Sequence, residues 1–180
     1  MKILAETSIL MIIDVQERLA PVCSDPRRVI RGCGLLMRAA QRLNVPCIVT
    51  EQYPAGIGPT IFDLREWMPI EGAQAKMTFS CVDDAVILQR LRGSGRRQVV
   101  LAGLEAHVCV LQTALGLKEI GHDVFVVVDA SASRRAESES LAWARLGQAG
   151  IGLVSLEMVF FEWLRRAGTP EFKELVALIK

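Results

Sequence analysis

Residues 99–114, VVLAGLEAHVCVLQTA, constrain the fold of this chain more than any other stretch. The segment begins with a short, uninterrupted apolar run, which is typical of a strand covered on both faces. Gly103 allows a sharp bend after that run, and residues 108–114 have the composition of a helix. The segment therefore predicts a buried strand, a tight turn and a helix that carries Cys109 in its first turn.

Cys109 alone is open to two interpretations. Cysteine is among the most buried residue types, so a single cysteine near a helix start is usually a packing residue. However, the unpaired N–H groups and the helix dipole at such a position stabilise a thiolate, which is the reactive form of cysteine. The choice between them depends on which other side chains the fold brings close.

The pattern of strands and helices predicts one α/β domain that spans residues 1–180. Strands are predicted at residues 8–13, 47–49, 72–76, 99–102, 124–128 and 152–156. Helices are predicted at about 26–43, 60–67, 83–92, 108–121, 137–149 and 157–180, the last with a break at 168–170. This alternation indicates a doubly wound, mainly parallel six-stranded sheet with helices on both faces, as in Rossmann-like folds.

The net charge and the cysteine content narrow the range of expected binding partners and of cellular compartments. The net charge of +1 gives no reason to expect nucleic acid or an anionic membrane as a partner. The five cysteines form no CxxC pair, a pattern that favours a reducing, cytoplasmic setting over a disulfide framework. The apolar N-terminal stretch is interrupted by Glu6 and ended by Asp14, so it does not have the pattern of a signal peptide.

Three reactive side chains fall at the carboxyl ends of predicted strands. Asp14 follows the first strand, Lys76 ends the third and Cys109 follows the fourth. Each has an ordinary explanation alone, as a turn cap, a solvated charge or a packing residue. Because ligands bind outside the carboxyl ends of strands in open parallel sheets, their joint occurrence predicts a functional site at this edge.

These residues lie in motifs that resemble the isochorismatase-like cysteine hydrolase superfamily, which includes nicotinamidases. The motifs are IIDVQ around Asp14, KMTFS around Lys76 and GLEAHVCVLQTA around Cys109. The stretches TEQYP and PEFKELVALIK resemble the branch of isochorismatase domain-containing proteins. The resemblance covers nearly the whole chain. It implies the isochorismatase-like hydrolase fold, a small amide as substrate and a homo-oligomer.

The resemblance also implies a Cys–Asp–Lys triad. Cys109 would attack a carbonyl carbon, while Asp14 would accept the thiol proton and later deliver it to the leaving amine. Lys76 would stabilise the thiolate, which predicts a depressed pKa for the Cys109 thiol. A cis peptide between Leu104 and Glu105 is implied as well, with the N–H groups of Glu105 and Cys109 directed at the developing oxyanion.

Departures from the family pattern refine the expected reaction. Nicotinamidases carry a metal site in the loop after the second strand, but the corresponding stretch here, TEQYPAGIG, contains no histidine. We therefore expect no catalytic metal and no cofactor. Isochorismatases cleave a vinyl ether and need no cysteine nucleophile, so Cys109 favours amide hydrolysis. Many relatives have Thr at the position of Ala106, where this chain lacks the hydroxyl.

Three further residues are candidates for the substrate pocket. Gln52 and Tyr53 are expected on a loop, residues 51–59, that overhangs the crevice. Phe79 follows Lys76 closely and either forms a pocket wall or packs in the core.

Two other functions remain open from the sequence. The chain could be a non-enzymatic oligomeric binding or scaffold protein, or a thiol redox sensor with Cys81 as the resolving thiol. The presence of both Asp14 and Lys76 favours the enzyme, since neither alternative needs both.

Overall fold

In a computed structural model that describes residues 1–180, the chain forms a six-stranded, all-parallel sheet with eight α-helices. The strand order is β3-β2-β1-β4-β5-β6, which reverses direction between β1 and β4. This is the doubly wound topology, whose ligand crevice lies at that reversal. The strands are β1 (Ser8–Ile13), β2 (Cys47–Gln52), β3 (Gln74–Lys76), β4 (Gln98–Leu104), β5 (Asp123–Ala132) and β6 (Gly152–Val154).

The helices cover both faces of the sheet, as predicted. They are α1 (Pro26–Arg42), α2 (Pro54–Ile57), α3 (Phe62–Arg65), α4 (Ala85–Gly93), α5 (Leu111–Glu119), α6 (Ala136–Gln148), α7 (Leu156–Leu164) and α8 (Pro170–Val176). Asp25 caps α1 by accepting a hydrogen bond from the Arg28 N–H (3.1 Å), with Pro26 at the first helical position. None of the helices has both the length and the hydropathy that crossing a lipid bilayer requires.

Two apolar layers hold the helices against the sheet. Alternate residues of β1 enter opposite layers, with Leu10 and Ile12 facing α1, α7 and α8 and with Met11 and Ile13 facing α4, α5 and α6. Every residue of β1 and β4 is buried, because these central strands are covered on both faces.

Three strands are longer than predicted, namely β2, β5 and β4, which spans Gln98–Leu104 rather than residues 99–102. β2 continues into the expected loop as far as Gln52, because its last residues pair with β3 up to Lys76. β5 continues past Val128 to Ala132 through a shift in register against β4. The Ser131 hydroxyl supports that irregular stretch by accepting a hydrogen bond from the Gly103 N–H.

The ends of β1 and β4 meet closely at the topological reversal. Gly103 has a φ of 121°, and a side chain there would collide with the backbone of Ile13. Asp14, directly after β1, has a left-handed backbone with a φ of 51°. This close approach places the residue after β1 next to the turn that follows β4.

Candidate active site

Asp14 and Lys76 form a buried ion pair at the carboxyl edge of the sheet. The Lys76 Nζ lies 2.7 Å from the Asp14 Oδ2, and neither side chain is exposed to solvent. Asp14 directly follows β1 and Lys76 is the last residue of β3, two strands that are separated in the sheet by β2. The fold thus brings together two side chains that lie 62 positions apart in sequence, as predicted.

The ammonium of Lys76 is fully surrounded by acceptors. Besides Asp14, it donates to the Gln52 Oε1 at 2.6 Å and to the carbonyl oxygens of Thr78 and Phe79 at 3.3 Å each. Burial alone would lower the pKa of Lys76, but the Asp14 carboxylate, together with smaller contributions from Cys109 and Cys81, outweighs this and the pKa is raised. Lys76 therefore holds a positive charge inside the protein.

Thr50 and Gln16 fix the pair from β2 and from the turn after β1. The Thr50 hydroxyl donates to the Asp14 Oδ1 at 2.7 Å. The Gln16 side chain accepts from the Gln52 N–H at 2.8 Å and donates to the Gln52 carbonyl at 3.0 Å. Neither residue is predicted from the sequence, because the contact of Thr50 depends on the register that pairs it with Ile13. Gln16 lies in the IIDVQ motif, which was the available signal.

Cys109 lies in a π-helical turn, Ala106–Val110, which leads directly into α5. It is thus in the first turn of a continuous helical segment, although that turn is π rather than α. Its side chain is almost completely buried, and its Sγ lies 4.0 Å from the Gln52 Oε1. The preceding peptide, Leu104–Glu105, is cis, as the family resemblance implied. Gln52 thus contacts both the ammonium of Lys76 and the thiol of Cys109.

The depressed pKa that we expected for the Cys109 thiol is wrong. Burial raises the pKa of the thiol, the carboxylate of Asp14 raises it further, and Lys76 offsets only part of this. The sequence indicated the helix start and the lysine, but not the extent of burial. The site at rest therefore contains a neutral thiol beside a carboxylate–ammonium pair.

A family model described as "Isochorismatase domain" matches residues 8–158. The chain belongs to the isochorismatase family. Among similar proteins, isochorismatase domain-containing protein 2A of Mus musculus is 37% identical over 99% of this chain and 85% of its own length. The secreted isochorismatase effector Isc1 of Phytophthora sojae is also 37% identical, over 99% of this chain and 87% of its own length.

Solved structures of the isochorismatase type superpose closely on this chain. The MAR1 ribonuclease of Caenorhabditis elegans has a TM-score of 0.93 and 36% identity, covering 99% of this chain and 92% of that one. YcaC of Escherichia coli, described as an octameric hydrolase of unknown specificity, has a TM-score of 0.92 and 26% identity, covering 98% and 90%. YcaC of Pseudomonas aeruginosa, described with hexane-2,5-diol and covalent acrylamide, has a TM-score of 0.89 and 26% identity, covering 98% and 91%.

The three pocket candidates occupy different positions in this isochorismatase-family site. Gln52 is not on a loop: it is the buried last residue of β2, and its Nε2 donates to the Met77 carbonyl at 2.9 Å. Tyr53 lies directly outside it with a left-handed backbone and a half-exposed ring. Phe79 is also half-exposed, which excludes the core packing considered for it. A role for these residues in binding substrate stays a prediction.

All five cysteines are free thiols. Cys81 lies in the same apolar layer as Cys109, and its N–H donates to the Thr113 hydroxyl at 3.0 Å. Burial raises the pKa of Cys81 to about 11. No three histidine, cysteine, aspartate or glutamate side chains are grouped so that they could hold a metal ion.

Glu105, the other residue implied in the oxyanion site, has a buried carboxylate. This carboxylate accepts from the Arg134 N–H and from the Arg134 Nε, both at 3.0 Å. The ion pair ties the turn after β4 to the segment after β5, and it fixes the backbone that precedes Cys109.

Proposed function

We propose that this protein is a metal-independent cysteine hydrolase that cleaves the C–N bond of a small amide through an acyl-enzyme on Cys109. The observation that carries the proposal is the fully buried Lys76–Asp14 pair beside the thiol. Burying two charges is costly, and strongly perturbed groups in a crevice are characteristic of functional sites. The family membership supports a hydrolase, and the residue types at this edge suit attack on a carbonyl.

In the first step, the Cys109 Sγ attacks the amide carbonyl carbon and the thiol proton passes to Asp14. Because the thiol is neutral at rest, the thiolate forms only as attack proceeds. Negative charge moves from the carboxylate to the sulfur and then to the substrate oxygen. The positive charge of Lys76 stays in place and compensates it throughout.

The tetrahedral intermediate then collapses. In our proposal the N–H groups of Glu105 and Cys109 bind its oxyanion, and one such donor typically contributes about 3 kcal/mol of transition-state stabilisation. Asp14 returns its proton to the nitrogen as the C–N bond breaks, which releases an amine and leaves a thioester. A water molecule next gives a proton to Asp14 and attacks the thioester. The carboxylic acid leaves, and Asp14 returns that proton to the sulfur.

Two relatives support parts of this proposal. The structure of Pseudomonas aeruginosa YcaC is described with covalent acrylamide, a small primary amide. The Escherichia coli protein is described as an octameric hydrolase. By this similarity we propose a homo-oligomer. A cytoplasmic location also stays a proposal, since one relative is described as secreted.

The test is ammonia release from a panel of small primary amides in the presence of a chelator. Wild-type protein and Cys33→Ala should release ammonia, whereas Cys109→Ala should not. Cys33 is a matched control, because it is a buried thiol in the opposite apolar layer. Release that persists in Cys109→Ala, or that requires added metal, would contradict the proposal. RNA belongs in the panel because one structural relative is described as a ribonuclease.

A further inference from the structure

The side-chain amide of Gln52 lies where the buried ion pair meets the thiol. Its Oε1 accepts from the Lys76 Nζ at 2.6 Å and lies 4.0 Å from the Cys109 Sγ. Gln52 and Lys76 are register partners in β2 and β3, and register partners point to the same face of a sheet, which places the two side chains next to each other. One oxygen atom therefore contacts both the ammonium and the thiol.

Two opposed partners fix which way the Gln52 amide faces. The Lys76 ammonium is a donor only, whereas the Met77 carbonyl, which accepts from the Gln52 Nε2 at 2.9 Å, is an acceptor only. Turning the amide over would place donor against donor and acceptor against acceptor. Gln52 therefore presents its oxygen, and not its NH₂ group, to the Cys109 sulfur.

The backbone of Gln52 is held as firmly as its side chain. The Gln16 side chain accepts from the Gln52 N–H at 2.8 Å and donates to the Gln52 carbonyl at 3.0 Å. The Gln16 Nε2 also donates to the Gly58 carbonyl at 2.6 Å, and both glutamines are buried. These bonds give the amide oxygen a fixed position beside the sulfur.

The hydrogen bonds of the Lys76 ammonium go to oxygen atoms and not to the sulfur. Its acceptors are the Asp14 Oδ2, the Gln52 Oε1 and the carbonyl oxygens of Thr78 and Phe79. The cation of the site is thus bonded elsewhere while the thiol is at rest.

The thiol of Cys109 faces acceptors instead. Burial raises the pKa of the thiol most, and the Asp14 carboxylate adds to this through its charge and through hydrogen bonding. The Gln52 Oε1 is a second acceptor beside the sulfur. Acceptors favour the protonated form, because S–H can donate to them and a thiolate cannot.

From this arrangement we infer that Gln52 is a positioning residue: it holds the Lys76 ammonium on oxygen atoms rather than on the Cys109 sulfur, and it keeps the thiol protonated between turnovers. The inference rests on the proposed function for the role of Cys109 and adds the control of that nucleophile to it. The thiolate is the form of cysteine that reacts with unwanted electrophiles and oxidants. A thiol that stays protonated until an amide is attacked is protected from both.

Two substitutions at position 52 should change the thiol in opposite directions. The titratable groups around the Gln52 oxygen are Asp14, Lys76, Cys81 and Cys109, of which Lys76 alone is a cation. Gln52→Met keeps the length of the side chain but removes the acceptor, which favours a thiolate. Gln52→Glu keeps the oxygen but adds a negative charge against the ammonium, which disfavours a thiolate.

The test is the rate at which iodoacetamide alkylates Cys109 between about pH 6 and about pH 9, followed by mass spectrometry of the Cys109 peptide. The wild-type rate should be slow and should rise about tenfold per pH unit, because the thiolate fraction does so while the thiol is mostly protonated. At each pH, Gln52→Met should raise the rate about tenfold and Gln52→Glu should lower it about tenfold.

Cys33 and Gln148 supply the controls. Cys33 is buried in the opposite apolar layer, so its alkylation in the same digest reports unfolding. Gln148→Met and Gln148→Glu change an exposed amide on α6 and should leave the Cys109 rate unaltered. Rates that change in the same direction in both Gln52 variants, or that rise equally at Cys33 and Cys109, would show that Gln52 only supports the fold and would overturn the inference. A wild-type rate that does not vary with pH would also overturn it, because the thiol would then be ionised at rest.

Alkylation needs no substrate, which separates this inference from the proposed function. If the wild type hydrolyses no amide, the proposed function fails, but opposite changes of the alkylation rate in Gln52→Met and Gln52→Glu still support the control of the thiol by Gln52. If amide hydrolysis depends on Cys109 and neither Gln52 variant changes the alkylation rate, the proposed function holds and the inference is wrong.

Discussion

The two edges of the sheet both bury polar side chains, but they do so differently. At the amino edge, Gln98 accepts from the Leu4 N–H at 2.7 Å and donates to the Lys2 carbonyl at 2.8 Å. Beside it, the Trp163 indole N–H donates to the Ser8 hydroxyl at 3.2 Å. All of these side chains are neutral. At this edge the buried side chains tie the N-terminal residues and α7 to the sheet through neutral hydrogen bonds.

At the carboxyl edge the buried groups are charged. Asp14 and Lys76 are as deeply buried as the polar side chains of the amino edge, yet they form an ion pair. Removing such ions from water costs several kcal/mol per ion before their attraction is counted. The amino edge shows that neutral groups are enough to close this fold. The charged pair at the carboxyl edge is therefore best explained by chemistry, which is the basis of the function proposed above.

The largest expected effect is the pH dependence of stability that comes from the buried thiols. Burial keeps these thiols neutral both at the carboxyl edge of the sheet and in the apolar layers. Burial raises the pKa of all five cysteine thiols, Cys33 and Cys109 among them, above the ordinary 9.0, so above that pH the unfolded chain loses protons that the folded chain retains. Unfolding therefore becomes easier as the pH rises, by about 1.4 kcal/mol per pH unit for each such thiol. Calorimetric melting between about pH 7.5 and about pH 10 should show a steep loss of stability.

Cys33→Ala and Cys109→Ala should each reduce the slope of stability against pH by the contribution of one thiol, about 1.4 kcal/mol per pH unit. Equal stability at both ends of the range would contradict the burial of these thiols.

Lys76→Met should cause the next largest effect. It leaves the buried Asp14 carboxylate without a charged partner, so urea denaturation should show a loss of about 3–5 kcal/mol in the free energy of unfolding at neutral pH. Lys118→Met is the matched control, since Lys118 is exposed and bonds only to the Gly150 carbonyl. The double variant Asp14→Asn/Lys76→Met should be less destabilised than the sum of the two single variants. Strict additivity would mean that the two groups do not interact.

Gln98→Leu removes neutral hydrogen bonds at the amino edge instead. Unpairing the Leu4 N–H and the Lys2 carbonyl should cost about 1–3 kcal/mol, less than the loss at the charged edge. Amide hydrolysis should be unchanged at temperatures where the variant is folded, because the substitution lies at the opposite edge from Cys109. Gln112→Leu, at an exposed position on α5, should alter neither stability nor activity. A loss of activity in folded Gln98→Leu would show that the two edges are coupled.

The smallest predicted effect is at Thr50. Thr50→Val removes the hydroxyl that orients the Asp14 Oδ1 and should lower kcat by about tenfold, with KM little changed. Thr50→Ser keeps the hydroxyl and should restore most of kcat. If Thr50→Ser is as slow as Thr50→Val, the effect comes from packing and not from the hydrogen bond.

The sequence predicted the features that depend on local pattern. The bounds of β1 and the start of α1 follow from an apolar run ending at Asp14 and from an Asp–Pro cap at Asp25, and both are confirmed. The meeting of Asp14 and Lys76 also followed, because the carboxyl ends of parallel strands share one edge.

Features that depend on strand register or on the extent of burial were not predictable from local sequence pattern. Thr50 contacts Asp14 because β2 pairs with β1 at Ile13, and nothing local in TEQYP shows that pairing. The pKa of Cys109 was predicted in the wrong direction because burial outweighs the attraction of Lys76. The exposure of Phe79 depends on how the chain leaves β3, which the sequence does not show.

Detection of the acyl-enzyme tests the central claim most directly. Wild-type protein is mixed with a primary amide that it hydrolyses, quenched in acid within one turnover, and digested for mass spectrometry. The peptide that contains Cys109 should gain the mass of the acyl group, and the adduct should disappear in hydroxylamine, which cleaves thioesters. Turnover without an adduct on that peptide, or an adduct on another cysteine, would contradict catalysis by Cys109.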